Sequence, residues 1–268
     1  MTGDLDVHLP ERSLLICGSQ RSGTSLLCRA LADTGVCGQP EEYFLAEDPA
    51  KLPDWRFWEE GFYGVRHGAK DRVDYLRIVY GLGASPNGVF AAKLMWNNLP
   101  WAVRKFQEMP SFAEMSRAAI FRAAFPGLRV VNVRRRDRVR QAVSWARMAQ
   151  DGVWVVSDDE PAVPSRTPKY DFDLIAALER LILDGELGWR LFYEELGLTP
   201  YEVVYEDLVA PGVLTANVTG ILEHVGVRAP SDVILHPRTH RQADSVNDEW
   251  TARYLAEKVS AEVNSRPE

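Results

Sequence analysis

The 268-residue chain carries 31 Lys and Arg against 38 Asp and Glu, a formal charge of -7, which excludes a protein that coats nucleic acid or another polyanion. Hydrophobic residues make up 46% and charged residues 26%, an ordinary globular balance that excludes disordered and fibrous chains and suffices for a substantial core. No apolar run approaches the ~18 residues of a membrane helix, and the start is acidic and polar, so a cytoplasmic protein without a membrane span is expected. The cysteines, Cys17, Cys28 and Cys37, are odd in number and lack zinc spacing, which makes them small buried hydrophobes.

Leu14 to Cys17 reads as a short buried strand, followed by a helix over 24–34 with Leu27 and Leu31 on one face and Gly35 at its end. A helix over 71–80 carries Val73, Leu76 and Val79 or Tyr80, and a strand at 89–94 follows the turn signal Ser85-Pro86-Asn87-Gly88. A third strand at 128–133 leads to a helix capped by Asp137, with Val139, Val143 and Ala146 inward. A long helix over 173–196 is predicted from Leu174, Leu178, Leu181 and Ile182, with Gly185 and Gly188 as kinks. A fourth strand at 202–205 and a helix from Leu214 to Val225, closed by Gly226, complete the pattern. Strands alternating with helices predict one α/β domain over residues 1–268, with a mostly parallel central sheet flanked by helices. Residues 45–68, rich in Trp, Phe and Pro, read as an irregular insertion, and the acidic, proline-rich 157–170 as a lid-like loop.

The first strand runs into Gly18-Ser19-Gln20-Arg21-Ser22-Gly23-Thr24-Ser25, nearly a Walker A spacing but without the lysine. A loop between a strand and a helix aims backbone N–H groups and the positive end of the helix dipole at one point, which suits a phosphate. Gln20, Ser22, Gly23, Thr24 and Ser25 frame that point, and Arg21 supplies the charge in place of the lysine. A second anion grip is offered where the third strand ends in Arg134-Arg135-Arg136, with Ser144 about two helical turns further on.

Several segments in order resemble the Stf0-type sulfotransferases. They are Gln20 to Leu27; Gly35-Val36 with Gln39-Pro40-Glu41-Glu42-Tyr43-Phe44; Pro86 to Phe90 with Lys93-Leu94-Met95-Trp96-Asn97; Arg135-Arg136-Asp137 with Gln141 to Trp145; and Arg241-Gln242-Ala243 with Asp248-Glu249-Trp250. The resemblance implies the P-loop sulfotransferase fold and PAPS (3'-phosphoadenosine 5'-phosphosulfate) as sulfuryl donor. It further implies that Arg135, Ser144 and then Arg136 hold the 3'-phosphate, and that Arg241 and Gln242 close over the nucleotide. By the same resemblance the acceptor is a small carbohydrate, trehalose at its 2-position first, and the protein is a homodimer.

A sugar hydroxyl attacks only when a base takes its proton. Glu41 and Glu42 are the candidates, and the family pattern selects Glu42. Gln20, Gln39, Tyr43, Lys93 and Trp96 are the remaining acceptor candidates, with Trp55 and Trp58 able to stack on sugar. Gln39 departs from the family, which has an acidic residue before the proline, and this leaves the acceptor open. The histidines show no metal-ligand spacing, so transfer without a metal is expected. A P-loop kinase or triphosphatase stays open as an alternative, with Glu206-Asp207 as its magnesium ligands, and so does a nucleotide-binding module without catalysis.

Overall fold

The computed structural model describes residues 7–45, 68–152, 166–210, 212–230, 235 and 245–264. Its sheet has four parallel strands in the order β2-β1-β3-β4: β1 (Arg12–Gly18), β2 (Val89–Met95), β3 (Arg129–Arg134) and β4 (Tyr201–Val204). The central strands are apolar at nearly every position because both faces are covered. Leu15, Cys17, Phe90, Ala92, Leu94 and Val130 enter one core, whereas Leu14, Ile16, Val89, Ala91, Val131 and Val133 enter the other.

Parallel pairing requires crossovers, and these supply the two covering layers. On one face lie α1 (Thr24–Asp33) and, from later in the chain, the helix Val213–Val225. On the other lie α2 (Arg72–Gly83), α3 (Leu99–Gln107), α4 (Arg117–Ala124) and the C-terminal half of the helix Phe172–Leu196. Numbered in order, the remaining helices are α5 (Arg138–Asp151), α6 (Phe172–Leu196), α7 (Tyr205–Leu208), α8 (Val213–Val225) and α9 (Ser245–Asn264). The N-terminal half of α6 packs with α5 and α9 around Val143, Ile175, Ile182, Trp250 and Tyr254.

Residue types at the helix ends explain where these elements start and stop. The carboxylates of Asp71, Asp137 and Asp171 accept backbone N–H groups of Asp74, Arg140 and Leu174, satisfying first-turn donors. Gly152 and Gly197 close α5 and α6 in the left-handed region.

The register fixes the functional edge. Gly18 lies opposite both Met95 and Val133, so β1, β2 and β3 end level. The loop 19–23, the 3-10 turn Trp96–Asn98 and the Arg135–Asp137 turn therefore gather at the carboxyl ends of the strands, where open α/β sheets bind ligands.

Several expectations change. The glycines of α6 are not kinks: the helix runs unbroken for 25 residues. A Cβ on Gly188 would lie 2.0 Å from Trp96 Cζ2, and one on Gly185 would lie 2.7 Å from Ser19 Oγ, so both glycines admit close neighbours. Leu181 is 52% exposed, and Ile175, Leu178 and Ile182 form the buried stripe instead. The fourth strand is shifted to 201–204, and Tyr205 opens α7. Helices α3, α4 and α9 have no counterpart in the sequence reading. In α9 the buried anchors are chiefly Trp250 and Tyr254, with Asn247 and Thr251 beside them, too few apolar positions to give a helical period. Residues 46–67 and 153–165, with Trp55 and Trp58, and also Arg241 and Gln242, lie outside the described residues.

Candidate active site

The loop after β1 is tied down from three sides. Trp189 of α6 donates from Nε1 to the Gly18 carbonyl at 3.0 Å, Gln141 of α5 donates to the Gln20 carbonyl at 2.8 Å, and Arg135 donates to the Arg21 carbonyl at 3.3 Å. These bonds hold Arg21 at φ 65, a left-handed conformation that costs a non-glycine residue about 1–3 kcal/mol. Gly23 ends the loop at φ 94, and a Cβ there would strike the Tyr205 ring at 2.4 Å. No acidic residue occupies the first turn of α1, so the positive end of its dipole is uncompensated by its own sequence. Ser22 is fully buried, and its hydroxyl has no hydrogen-bond partner among the described residues. An orphaned donor inside a ring of N–H groups fits an anion.

A cationic cluster stands beside the loop. Arg21 Nε donates to Ser144 Oγ at 3.0 Å, and Arg135 lies over the Tyr205 ring at 4.6 Å from its centroid. Burial, and then the neighbouring Arg135 charge, lower the Arg21 pKa. Both effects mean that this pocket favours added negative charge. Gln141, Ser144 and Arg147 recur at three-residue spacing on α5 and face this region, and Arg147 donates to Asn247 Oδ1 of α9 at 2.8 Å. Arg136 is not brought into the cluster. Its guanidinium is 56% exposed and grips both oxygens of Asp207 at 2.6 Å. Glu206 accepts from the backbone N–H groups of Arg136 and Asp137 at 3.0 and 3.4 Å and so shapes the turn.

The carboxylate of Glu42 stands at the same edge. Glu41 forms an isolated parallel bridge to Ala92, and the Lys93 N–H donates to the Glu41 carbonyl at 2.9 Å. This short extension of the sheet sets Glu42 beside Lys93, whose Nζ lies 2.8 Å from Glu42 Oε1 and 3.3 Å from Ser25 Oγ. Lys93 is only 12% exposed. Burial, the largest single effect, lowers its pKa, but the charge and hydrogen bond of Glu42 together with the neighbouring Cys28 and Glu41 outweigh it, and the net shift is upward. The ammonium thus stays charged and links the carboxylate to the loop. Glu41, in contrast, is an exposed residue.

Of the other predicted acceptor residues, Gln20 bonds Asn97 at 2.6 Å, which joins the loop to the turn after β2. Trp96 is half-buried, edge-on to Trp189 at 5.3 Å. Gln39 is exposed nearby. Tyr43 is a core residue: it is 3% exposed, packs on Phe90, and its hydroxyl donates to the Gln39 carbonyl at 2.8 Å. Sequence reading missed Trp189, Gln141, Arg147 and Tyr205. The spacing of Gln141, Ser144 and Arg147 was a readable signal, whereas Trp189 and Tyr205 reach the loop only through the fold.

All three cysteines are buried as free thiols, and burial pushes the pKa of Cys17, Cys28 and Cys37 up to about 12. Among the described residues no helix is long and apolar enough to cross a membrane, and no group of three or more His, Cys, Asp or Glu gathers as a cation site.

The sequence pattern described as Stf0 sulphotransferase matches residues 13–257. The trehalose 2-sulfotransferase of Mycobacterium tuberculosis (strain ATCC 35801 / TMC 107 / Erdman) is 33% identical over 268 residues, covering 92% of this chain and 95% of its own length. The trehalose 2-sulfotransferase of Mycolicibacterium smegmatis (strain ATCC 700084 / mc(2)155) is 32% identical over 262 residues, covering 90% and 93%. Among solved structures, the sulfotransferase domain from the Synechococcus PCC 7002 olefin synthase aligns over 97% of this chain and 98% of its own, with 16% identity and a TM-score of 0.46.

Proposed function

The chain belongs to the Stf0 sulfotransferase family, and from that premise we propose that it moves a sulfuryl group from PAPS to the 2-hydroxyl of trehalose, with Glu42 as general base. That it is a sulfotransferase enzyme follows from the family. The donor, the acceptor and the residue roles are the proposal, as is its action as one cytoplasmic domain.

The observation that carries the reading is the contact of Lys93 with both Glu42 and Ser25, because it couples a carboxylate to the anion loop within one side chain's reach. Glu42 takes the proton of the acceptor hydroxyl as that oxygen bonds to sulfur. The bond between sulfur and the bridging oxygen breaks, its electron pair passing to the 5'-phosphate. Arg21, Lys93 and the N–H groups of the loop stabilise the charge that grows there. PAPS supplies an activated sulfuryl group and a second, separate phosphate, and Arg135 and Ser144 suit that 3'-phosphate. Arg136, committed to Asp207, is left out of the binding set. Gln39, Gln20 and Trp96 border the acceptor side, and the trehalose specificity rests on the names of the two mycobacterial relatives.

The test is transfer from PAPS to a panel of disaccharides and monosaccharides, read by product mass and by NMR of the sulfated position. A single sulfate on trehalose at position 2, with other sugars unmodified, is the expected product. Transfer to a different sugar overturns the acceptor, and binding of ATP with Mg²⁺ in preference to adenosine 3',5'-bisphosphate overturns the donor.

A further inference from the structure

The turn that carries Arg21 has a conformation its own residues do not favour. The Ser22 N–H donates to the Ser19 carbonyl at 3.3 Å, closing a tight turn, and Arg21 is the only non-glycine among the described residues with a positive φ, at 65. A turn with this hydrogen bond and a left-handed third residue is type II, in which that place normally falls to Gly or Asn. The type I alternative is open to most residues. It differs by a flip of the central peptide, here the one joining Gln20 to Arg21.

Gln141 acts on that peptide. Its Nε2 donates to the Gln20 carbonyl at 2.8 Å, and because the peptide is trans, the Arg21 N–H is turned to the opposite side, away from α5. Arg135 holds the next carbonyl, that of Arg21, so two successive peptides are fixed from outside the loop. The Gln141 side chain is 1% exposed, and its Oε1 has no hydrogen-bond partner among the described residues. A buried amide with its acceptor unmet costs stability, and a methionine would fill the same space without that cost. The role of the residue therefore lies in its donor end.

We propose, resting on the PAPS reading above, that Gln141 is the positioning residue for the 5' end of the donor. It holds the turn in the form in which the Arg21 N–H, with those at the start of α1, faces the 5'-phosphosulfate. In the flipped turn a carbonyl oxygen takes the place of that N–H and repels the anion. The 3'-phosphate, assigned to Arg135 and Ser144, does not depend on this peptide, so the effect is confined to one end of the nucleotide.

Titration calorimetry of the full chain with adenosine 3',5'-bisphosphate and with adenosine 3'-phosphate, which lacks the 5' group, tests the assignment. The wild type should bind the bisphosphate more tightly. Gln141→Met, similar in length but without the donor, should weaken the bisphosphate about tenfold and leave adenosine 3'-phosphate within about twofold. That retained affinity also shows the variant to be folded. Gln141→Glu, of the same shape with an acceptor in place of the donor, should show the same selective loss. Equal loss of both nucleotides in the two variants would mark Gln141 as a structural residue, and an undiminished preference for the bisphosphate would release the peptide from its control. Either result overturns the proposal. A wild type that binds the two nucleotides alike overturns the donor reading itself, and the proposal with it.

Discussion

Replacing Gly188 by Ala inserts a single methyl group where α6 meets Trp96. The added Cβ would lie 2.0, 2.3 and 2.4 Å from three atoms of the indole, against the 3.4–4 Å of ordinary contact, so the ring must move by more than 1 Å. Trp96 is wedged edge-on against Trp189, which itself holds the Gly18 carbonyl, and the ring has little room to yield. Overpacking of this kind costs about 1–3 kcal/mol, offset by about 0.5–1 kcal/mol of helix propensity gained over glycine. The net loss of about 1–2 kcal/mol should lower Tm by about 3–6 °C in a chain of this size. Gly81, inside α2, is the internal control: no heavy atom lies within 4 Å of a Cβ built there, and its φ is negative, so Gly81→Ala should raise Tm by about 1–3 °C. Differential scanning calorimetry of the two variants decides the matter. If Gly188→Ala gained stability as Gly81→Ala does, the wedge of Trp96 between β2 and α6 would be wrong.

The arginine cluster makes a selective prediction. Ser144→Ala, which frees Arg21 from its 3.0 Å bond, should weaken adenosine 3',5'-bisphosphate binding about 10- to 150-fold by calorimetry, the worth of one hydrogen bond to a charged group. Arg136→Ala, whose guanidinium is spent on Asp207, should leave the affinity within about twofold. The buried thiols, held protonated with pKa values near 12, should resist iodoacetamide at pH 8 in the native protein and react threefold in denaturant, as counted by mass spectrometry.

The strands and the anion loop were legible because parallel strands buried on both faces read as near-continuous apolar runs, as Leu14 to Cys17 does and as Val130 to Val133 does apart from Asn132. Asp137 announced a helix start for the local reason that a carboxylate satisfies first-turn N–H groups. What could not be read depends on distant approach. A glycine in a helix reads as a weakness until the partner that needs the space, here Trp96, is brought against it. The three consecutive arginines were equivalent in sequence, and only the turn shaped by Glu206 separates Arg135, facing the loop, from Arg136, facing Asp207. Tyr43 read as part of the acceptor site through its neighbours, yet it points into the aromatic core with Phe90. Helix α9 escaped because its face toward α5 and α6 is held as much by Asn247, Thr251 and the ion pair of Lys258 with Glu179 as by apolar residues.

The pairing of Glu42 with Lys93 next to the anion loop is open to one direct measurement: steady-state sulfate transfer by Glu42→Gln, alongside its affinity for adenosine 3',5'-bisphosphate. Loss of the base should cut kcat by about 10²- to 10⁴-fold while the nucleotide affinity stays within about twofold. Wild-type turnover in Glu42→Gln, with nucleotide binding intact, would contradict the assignment of this carboxylate as the base.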